Sequence, residues 1–135
     1  MNKEELLLDM LVYYTVDPEG RRCRNNKECV YSSKSISKTS SEGCAIGRHL
    51  NPDLAKQLDE DTIGDIIDVF SMRKEYLPDW MQIMGKEFLS SCQTLHDSNR
   101  YWTDKELTHE GRRQLKFIVM QYDLDLSKFK RYLWE

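Results

Sequence analysis

The chain has 135 residues, 39% of them hydrophobic and 32% charged, with a formal net charge of −3 at pH 7. That length sustains one domain with a real apolar core, and the supply of Leu, Ile, Met and aromatic residues excludes global disorder. No apolar run approaches the roughly 18–20 residues of a membrane span, and Met1-Asn2-Lys3-Glu4-Glu5 lacks the basic-then-apolar order of a secretory leader, so a cytoplasmic protein with no membrane partner is expected.

Leu7, Met10, Leu11 and Tyr14 recur at i, i+3, i+4 and i+7, which predicts an amphipathic helix over residues 2–16. Asp17-Pro18-Glu19-Gly20 reads as the turn that ends it, and Arg21 to Asn26 as a polar loop. Lys27 to Ser32 alternates like a short strand, and Ser33 to Glu42 is a polar loop rich in Ser, Lys and Thr. Cys44 to Ile46 either pairs back on that strand or turns into a short helix. The bracketing Gly43 and Gly47 favour the turn. A hairpin of this size must lean on helices.

Asn51-Pro52-Asp53 is a strong helix start, combining a cap, a first-turn proline and an acid at the positive end of the dipole. That helix is expected to reach about Asp59, and a second apolar piece runs from Thr62 to Phe70 with Ile63, Ile66, Ile67 and Phe70 at helical spacing. The longest helix is predicted over Pro78 to Asp97, with Leu77, Met81, Met84, Phe88, Cys92 and Leu95 as its stripe. Thr108 is expected to cap a helix through Tyr122 that buries Leu115, Ile118, Val119 and Tyr122, and Ser127 to cap a final one carrying Phe129, Tyr132, Leu133 and Trp134. No repeat or linker divides the chain. The expected fold class is α+β and predominantly helical: a single helical domain over residues 1–135 with a small β-hairpin near the N-terminal third.

Charge is uneven. Arg21 to Arg48 carries seven Lys/Arg against two Asp/Glu, whereas Asp53 to Asp79 carries eight acids against three bases. The two islands can compensate each other within the fold or between protomers of a homo-oligomer, or the basic one can meet an anionic partner. A pI near 5.7 argues against general nucleic-acid binding.

Reactive and coordinating side chains gather at Gly43-Cys44-Ala45-Ile46-Gly47-Arg48-His49 and at Cys29-Val30-Tyr31. A cysteine at a helix start beside Arg48 and His49 has its thiolate favoured, but catalysis also needs a base, such as His96, and a group to orient it. Asp97 adjoins His96, yet consecutive helical side chains diverge by about 100°, so Asp97 is not expected to orient the ring. The plain alternative is a buried cysteine packing a turn.

Cys92 and His96 stand four apart on one helix face, a sound two-ligand spacing, and Cys29 with Cys44 would complete a tetrahedral zinc site. Against this, Cys92 occupies the apolar stripe, where a packed thiol is expected, with His96 at the stripe's edge hydrogen-bonded to hairpin backbone. No C-x-x-C pair occurs, and without an export signal the four cysteines are expected to be reduced. A third reading is an anion or nucleotide pocket, with Gly43 and Gly47 admitting close backbone approach, Arg48 as a fork, and Tyr31 or Trp102 stacking on a base. No phosphate-loop pattern supports it, and Arg48 can equally be a solvated charge. A fourth is a protein-binding face drawn from Tyr13, Tyr14, Tyr101, Trp102, Tyr132 and Trp134, since Trp and Tyr dominate interface hot spots. Core packing is expected to claim at least half of them.

The order Cys29-x-Tyr31, then Gly43 to Arg48, then Phe88 to Asp97, then Trp102 resembles small bacterial and phage-encoded proteins over about half the chain. The resemblance implies a mobile-element accessory protein, without implying an activity. Cys92 stands where a larger aliphatic residue is expected from it.

The expectation is therefore a non-enzymatic binding protein, without cofactor, that inhibits a host or phage protein or sequesters a small anionic or nucleotide ligand, for example in anti-defence. Its surface would centre on Tyr31, Cys44, Arg48, His49, His96 and Trp102. The alternatives are a cysteine-dependent hydrolase or transferase using Cys44 and His96, and a structural zinc site from Cys29, Cys44, Cys92 and His96.

Overall fold

The structure is a computed structural model that describes residues 1–16, 18, 45–61, 63 and 65–133, together with the backbone of 24–25 and 28–29. Helix α1 spans Lys3–Val16. It starts in a reciprocal cap in which the Asn2 side chain accepts from the Glu5 amide at 2.8 Å and the Glu5 carboxylate accepts from the Asn2 amide at 3.0 Å. A helix of this length is marginal alone, so burial of Leu6, Leu7, Met10, Leu11 and Tyr14 is what holds it. At about 1.5–3 kcal/mol for each large apolar side chain, that burial outweighs any contribution of propensity.

The expected β-hairpin is not supported, and the fold is predominantly helical. Of the two expectations for Cys44 to Ile46, the favoured one, a turn into a short helix, is the one that Ile46 follows. Ile46 has right-handed helical dihedrals, and Gly47–His49 continues as a 3-10 turn, with Ala45 and Ile46 buried among helices. Near the other expected strand, the described backbone shows only a two-residue ladder of Arg24–Asn25 against Glu28–Cys29. Two residues a side make no sheet on which a core could be built. Residues 30–44 lie outside the described part.

Helix α2, Pro52–Glu60, starts as expected, with the Asn51 side chain accepting from the Asp53 amide at 2.9 Å. Helix α3, Ile66–Met72, is capped by Asp65 and buries Ile66 and Val69, while Ile67 is left exposed. Its first amide donates to the Gln93 side chain at 2.8 Å, which satisfies a buried polar group of the helix beneath it.

The single helix expected over Pro78 to Asp97 is two, α4 at Asp79–Met84 and α5 at Lys86–Asp97. Gly85 between them has φ +95°, a conformation that side chains other than glycine rarely adopt. The apolar stripe nevertheless survives the break, with Leu77, Met81, Met84, Phe88, Cys92 and Leu95 all buried. Helix α5 is central, touching α1, α3, α4 and the next helix, α6, at His109–Gln121.

Thr108 caps α6 by accepting from the Gly111 amide at 3.0 Å, and its hydroxyl donates to the Arg100 carbonyl at 2.6 Å. Leu115, Ile118 and Val119 form its buried stripe, with Tyr122 only half-buried at its end. The last segment is capped by Asp125 rather than Ser127: the Asp125 carboxylate accepts both the Ser127 amide, at 3.0 Å, and the Ser127 hydroxyl, at 2.7 Å. A 3-10 turn, Leu126–Phe129, then leads into α7, Lys130–Leu133, which buries Tyr132 and Leu133. Glu4 ties this segment to α1, accepting from the Lys128 ammonium at 2.8 Å and the Asp125 amide at 2.7 Å. Those two donors hold the Glu4 carboxyl below its ordinary range.

Among the described residues, no helix is long and apolar enough to cross a membrane.

At Gly111 a Cβ would collide with the Tyr101 backbone carbonyl. Gly111→Ala is therefore expected to destabilise the fold by about 1–3 kcal/mol, the usual cost of overpacking. Denaturant unfolding measures it, and a midpoint equal to that of the unmodified chain would contradict the close approach of α6 to the 99–101 turn.

Candidate functional site

The chemistry-bearing residues of the 3-10 turn meet the outward side of α1. Arg48 Nη1 donates to Asp9 Oδ2 at 2.5 Å, and His49 Nε2 lies 3.0 Å from the same oxygen. The Arg48 guanidinium lies 3.7 Å from the centroid of the Tyr13 ring, a cation–π contact on a ring that is itself partly buried. Tyr13 stands edge-on to Tyr14, with centroids 4.9 Å apart, and Tyr14 edge-on to the His96 ring at 4.4 Å. On the other flank, the His49 ring meets Trp80 edge-on at 5.7 Å. One continuous cluster thus runs from Trp80 on α4 through His49, Asp9, Arg48, Tyr13 and Tyr14 to His96 on α5.

Each end has a definite electrostatic character. The Asp9 carboxylate serves a full cation and an imidazole at one oxygen, so Arg48 is not simply a solvated charge. Burial lowers the pKa of His49 below its ordinary value of 6.5; the adjacent Arg48 cation acts in the same sense, and Asp9 opposes both. His49 is therefore neutral over most of the physiological range. His96 is wholly buried.

The expectation that Asp97 does not orient His96 is wrong: His96 Nδ1 and Asp97 Oδ1 are 2.6 Å apart. Both atoms sit one bond beyond Cγ, so side-chain rotation at the last residue of α5 bridges the divergence of the Cβ vectors. The expected hydrogen bond of His96 to hairpin backbone falls on residues outside the described part.

The remaining expected site residues part company. Trp102 is buried, and its indole N–H donates to the Leu95 carbonyl at 2.8 Å, which makes it a strut between α5 and the 102–107 loop. Cys92 is a buried free thiol in the apolar stripe, and burial pushes its pKa well up. Tyr31, Cys44 and the Cys29 side chain lie outside the described residues, as does Trp134. Among the described residues, no three His, Cys, Asp or Glu side chains gather as a metal cluster would require. Tyr14, Trp102 and Tyr132 are buried in the core, while Tyr13 and Tyr101 are half-buried at its edge.

Sequence reasoning missed Asp9 and Trp80. Asp9 is an ordinary polar position on an amphipathic helix, and nothing local marks it as the acceptor for residues 39 and 40 positions later.

None of the protein-family models, curated proteins or solved structures compared matches this chain.

The His49 geometry predicts a titration. Its ring should titrate below 6.5 by NMR, and lower still in Asp9→Asn, because the carboxylate is the group that raises it. An upward move in Asp9→Asn would contradict the contact. Since the folded pKa is depressed, the unfolded state binds the proton first, so the stabilising contribution is complete above about pH 6.5 and is lost as pH falls from there through the folded pKa. Denaturation at pH 5 and pH 7.5 should show that loss, and His49→Gln should reduce it.

Proposed function

We propose that the chain is a non-enzymatic binding protein of the mobile-element type, one that acts by occupying a protein of its host, as an anti-defence protein would. The observation behind this is that bulky apolar side chains stand exposed in pairs at helical spacing: Val12 (55%) with Val16 (66%) on α1, and Phe117 (59%) with Met120 (66%) on α6. Single exposed apolar residues are ordinary, whereas aligned ones mark contact surfaces. A small anionic or nucleotide ligand is the weaker form of the same reading. Arg48 already donates to Asp9 and lies over Tyr13, so an anion there would have to displace a carboxylate held at 2.5 Å.

One observation favours a second reading, a cysteine-dependent hydrolase or transferase. The contact between Asp97 and His96 Nδ1 gives His96 the orienting carboxylate that a general base requires. Cys44 would then be the nucleophile.

Two measurements separate these. A photo-crosslinking amino acid placed at Val12, at Phe117 or at Ile83, which stands exposed on α4, in bacterial cells expressing the chain, should give a discrete protein adduct from at least one position. Adducts from none of the three would overturn the binding reading. For the enzyme, the alkylation rate of Cys44 is followed against pH in a Cys23→Ser, Cys29→Ser background, where buried Cys92 is unreactive. A midpoint below about 7 supports a nucleophile, and an ordinary one near 8.5 ends it.

A further inference from the structure

The outward side of helix α6 is complementary to itself when the helix is reversed. Gln114, Phe117 and Met120 follow one another at three-residue spacing, away from the buried stripe of Leu115, Ile118 and Val119, and the last two are large and exposed. Beside Gln114 and Phe117 the surface opens into a cleft of about 400 Å³ that reaches Tyr101. Charge stands at both ends of this stretch. Arg113 lies one turn before Phe117, and Asp123 follows the end of the helix, roughly 15 Å away along the axis. Both are exposed, and among the described residues neither meets an oppositely charged side chain. Glu110, by contrast, is already taken by Arg100 Nε at 3.0 Å. Asp123 is set at its place by a left-handed φ of 54° and by its amide, which donates to the Met120 carbonyl at 3.3 Å. The helix itself is capped by Thr108 and held by its buried stripe.

We infer that α6 packs antiparallel against the α6 of a second copy of this chain, about a two-fold axis near Phe117. Such an axis reverses residue order. It sets Phe117 beside its own counterpart, Met120 of each copy against Gln114 and the cleft of the other, and Arg113 of each copy within about a turn of Asp123 of the other. Every contact is made twice, and an apolar centre is flanked by opposite charges, the anatomy of a specific interface. A different protein would have to present this reversed order independently, whereas a second copy presents it by construction. One helix face against its copy lies at the small end of interfaces, below about 1,200 Å² in total, so the dimer exchanges with monomer rather than being permanent. The inference does not rest on the binding reading above, which keeps Val12 with Val16 on α1, and Ile83 on α4, as exposed surface.

The test is sedimentation velocity of the full chain, which should show monomer passing into dimer as concentration rises to about 100 μM. Phe117→Ser should weaken the association about tenfold or more, while Val12→Ser leaves it unchanged. Arg113→Glu and Asp123→Lys should each weaken it, because each sets like charges face to face. Mixing those two variants in equal amounts should restore a dimer holding one copy of each, in which both charge pairs are again opposite. Asp123→Asn, which suits a left-handed residue, should weaken association through loss of charge alone and serves where Asp123→Lys disturbs the turn. Circular dichroism and thermal melting show which variants are folded. A chain that stays monomeric throughout, association indifferent to Phe117→Ser or to the charge variants, or a mixture of folded variants that restores nothing would each overturn the inference. Association that Val12→Ser abolishes would overturn it too, by giving the contact to α1. None of these results bears on cellular cross-linking to another protein from Val12 or Ile83, by which the binding reading stands or falls separately.

Discussion

The structure depends on what α1 does with its two sides. Its inner side supplies Leu6, Leu7, Met10, Leu11 and Tyr14 to the core. Its outer side and first turn hold distant parts of the chain: Asp9 takes Arg48 and His49, and Glu4 takes the Asp125 amide and Lys128. These polar contacts are individually modest, since exposed ion pairs contribute about 0–1 kcal/mol. Their effect is positional. Apolar burial fixes α1, and α1 then sets where the 47–49 turn and the C-terminal segment lie.

This arrangement has a consequence for function. The residues that look most chemical in the sequence, Arg48, His49 and His96, are engaged with Asp9, Tyr13, Trp80, Tyr14 and Asp97. They form a cluster that joins α1, α4 and α5 as much as one that could meet a ligand. Other exposed groups are of another kind, bulky and apolar and aligned in pairs, Val12 with Val16 and Phe117 with Met120. A protein that recognises by surface uses such groups, whereas one that transforms a small molecule gathers convergent polar groups in a pocket. Among the described residues, the Asp97–His96 pair belongs to the second type.

Much of the helical framework was legible because its signals are local. Asn51-Pro52-Asp53 and Thr108 announce helix starts through side chains that reach amides two or three residues away. The stripe from Leu77 to Leu95 declares burial by period alone. What was illegible is non-local or hidden in one dihedral. The stripe runs unbroken through Gly85, so periodicity cannot reveal that its positive φ divides the helix. Asp9 and Arg48 are joined by tertiary packing that neither segment encodes alone. Alternation around Cys29 suggested a strand that a core could use, but the described backbone there pairs Glu28–Cys29 only with Arg24–Asn25, and Ile46 turns helical, the alternative that its flanking glycines favoured. Phe117 did carry a readable signal, a large aromatic out of step with Leu115, Ile118 and Val119.

Asp9 on α1 thus holds Arg48 in place. A double-mutant cycle of Asp9→Asn and Arg48→Met, read by denaturant unfolding, measures that hold. A coupling energy of about 1 kcal/mol is expected, the double variant losing less stability than the two single variants lose in sum. Additivity within about 0.3 kcal/mol would mean that the two side chains stand apart in solution, and would contradict it.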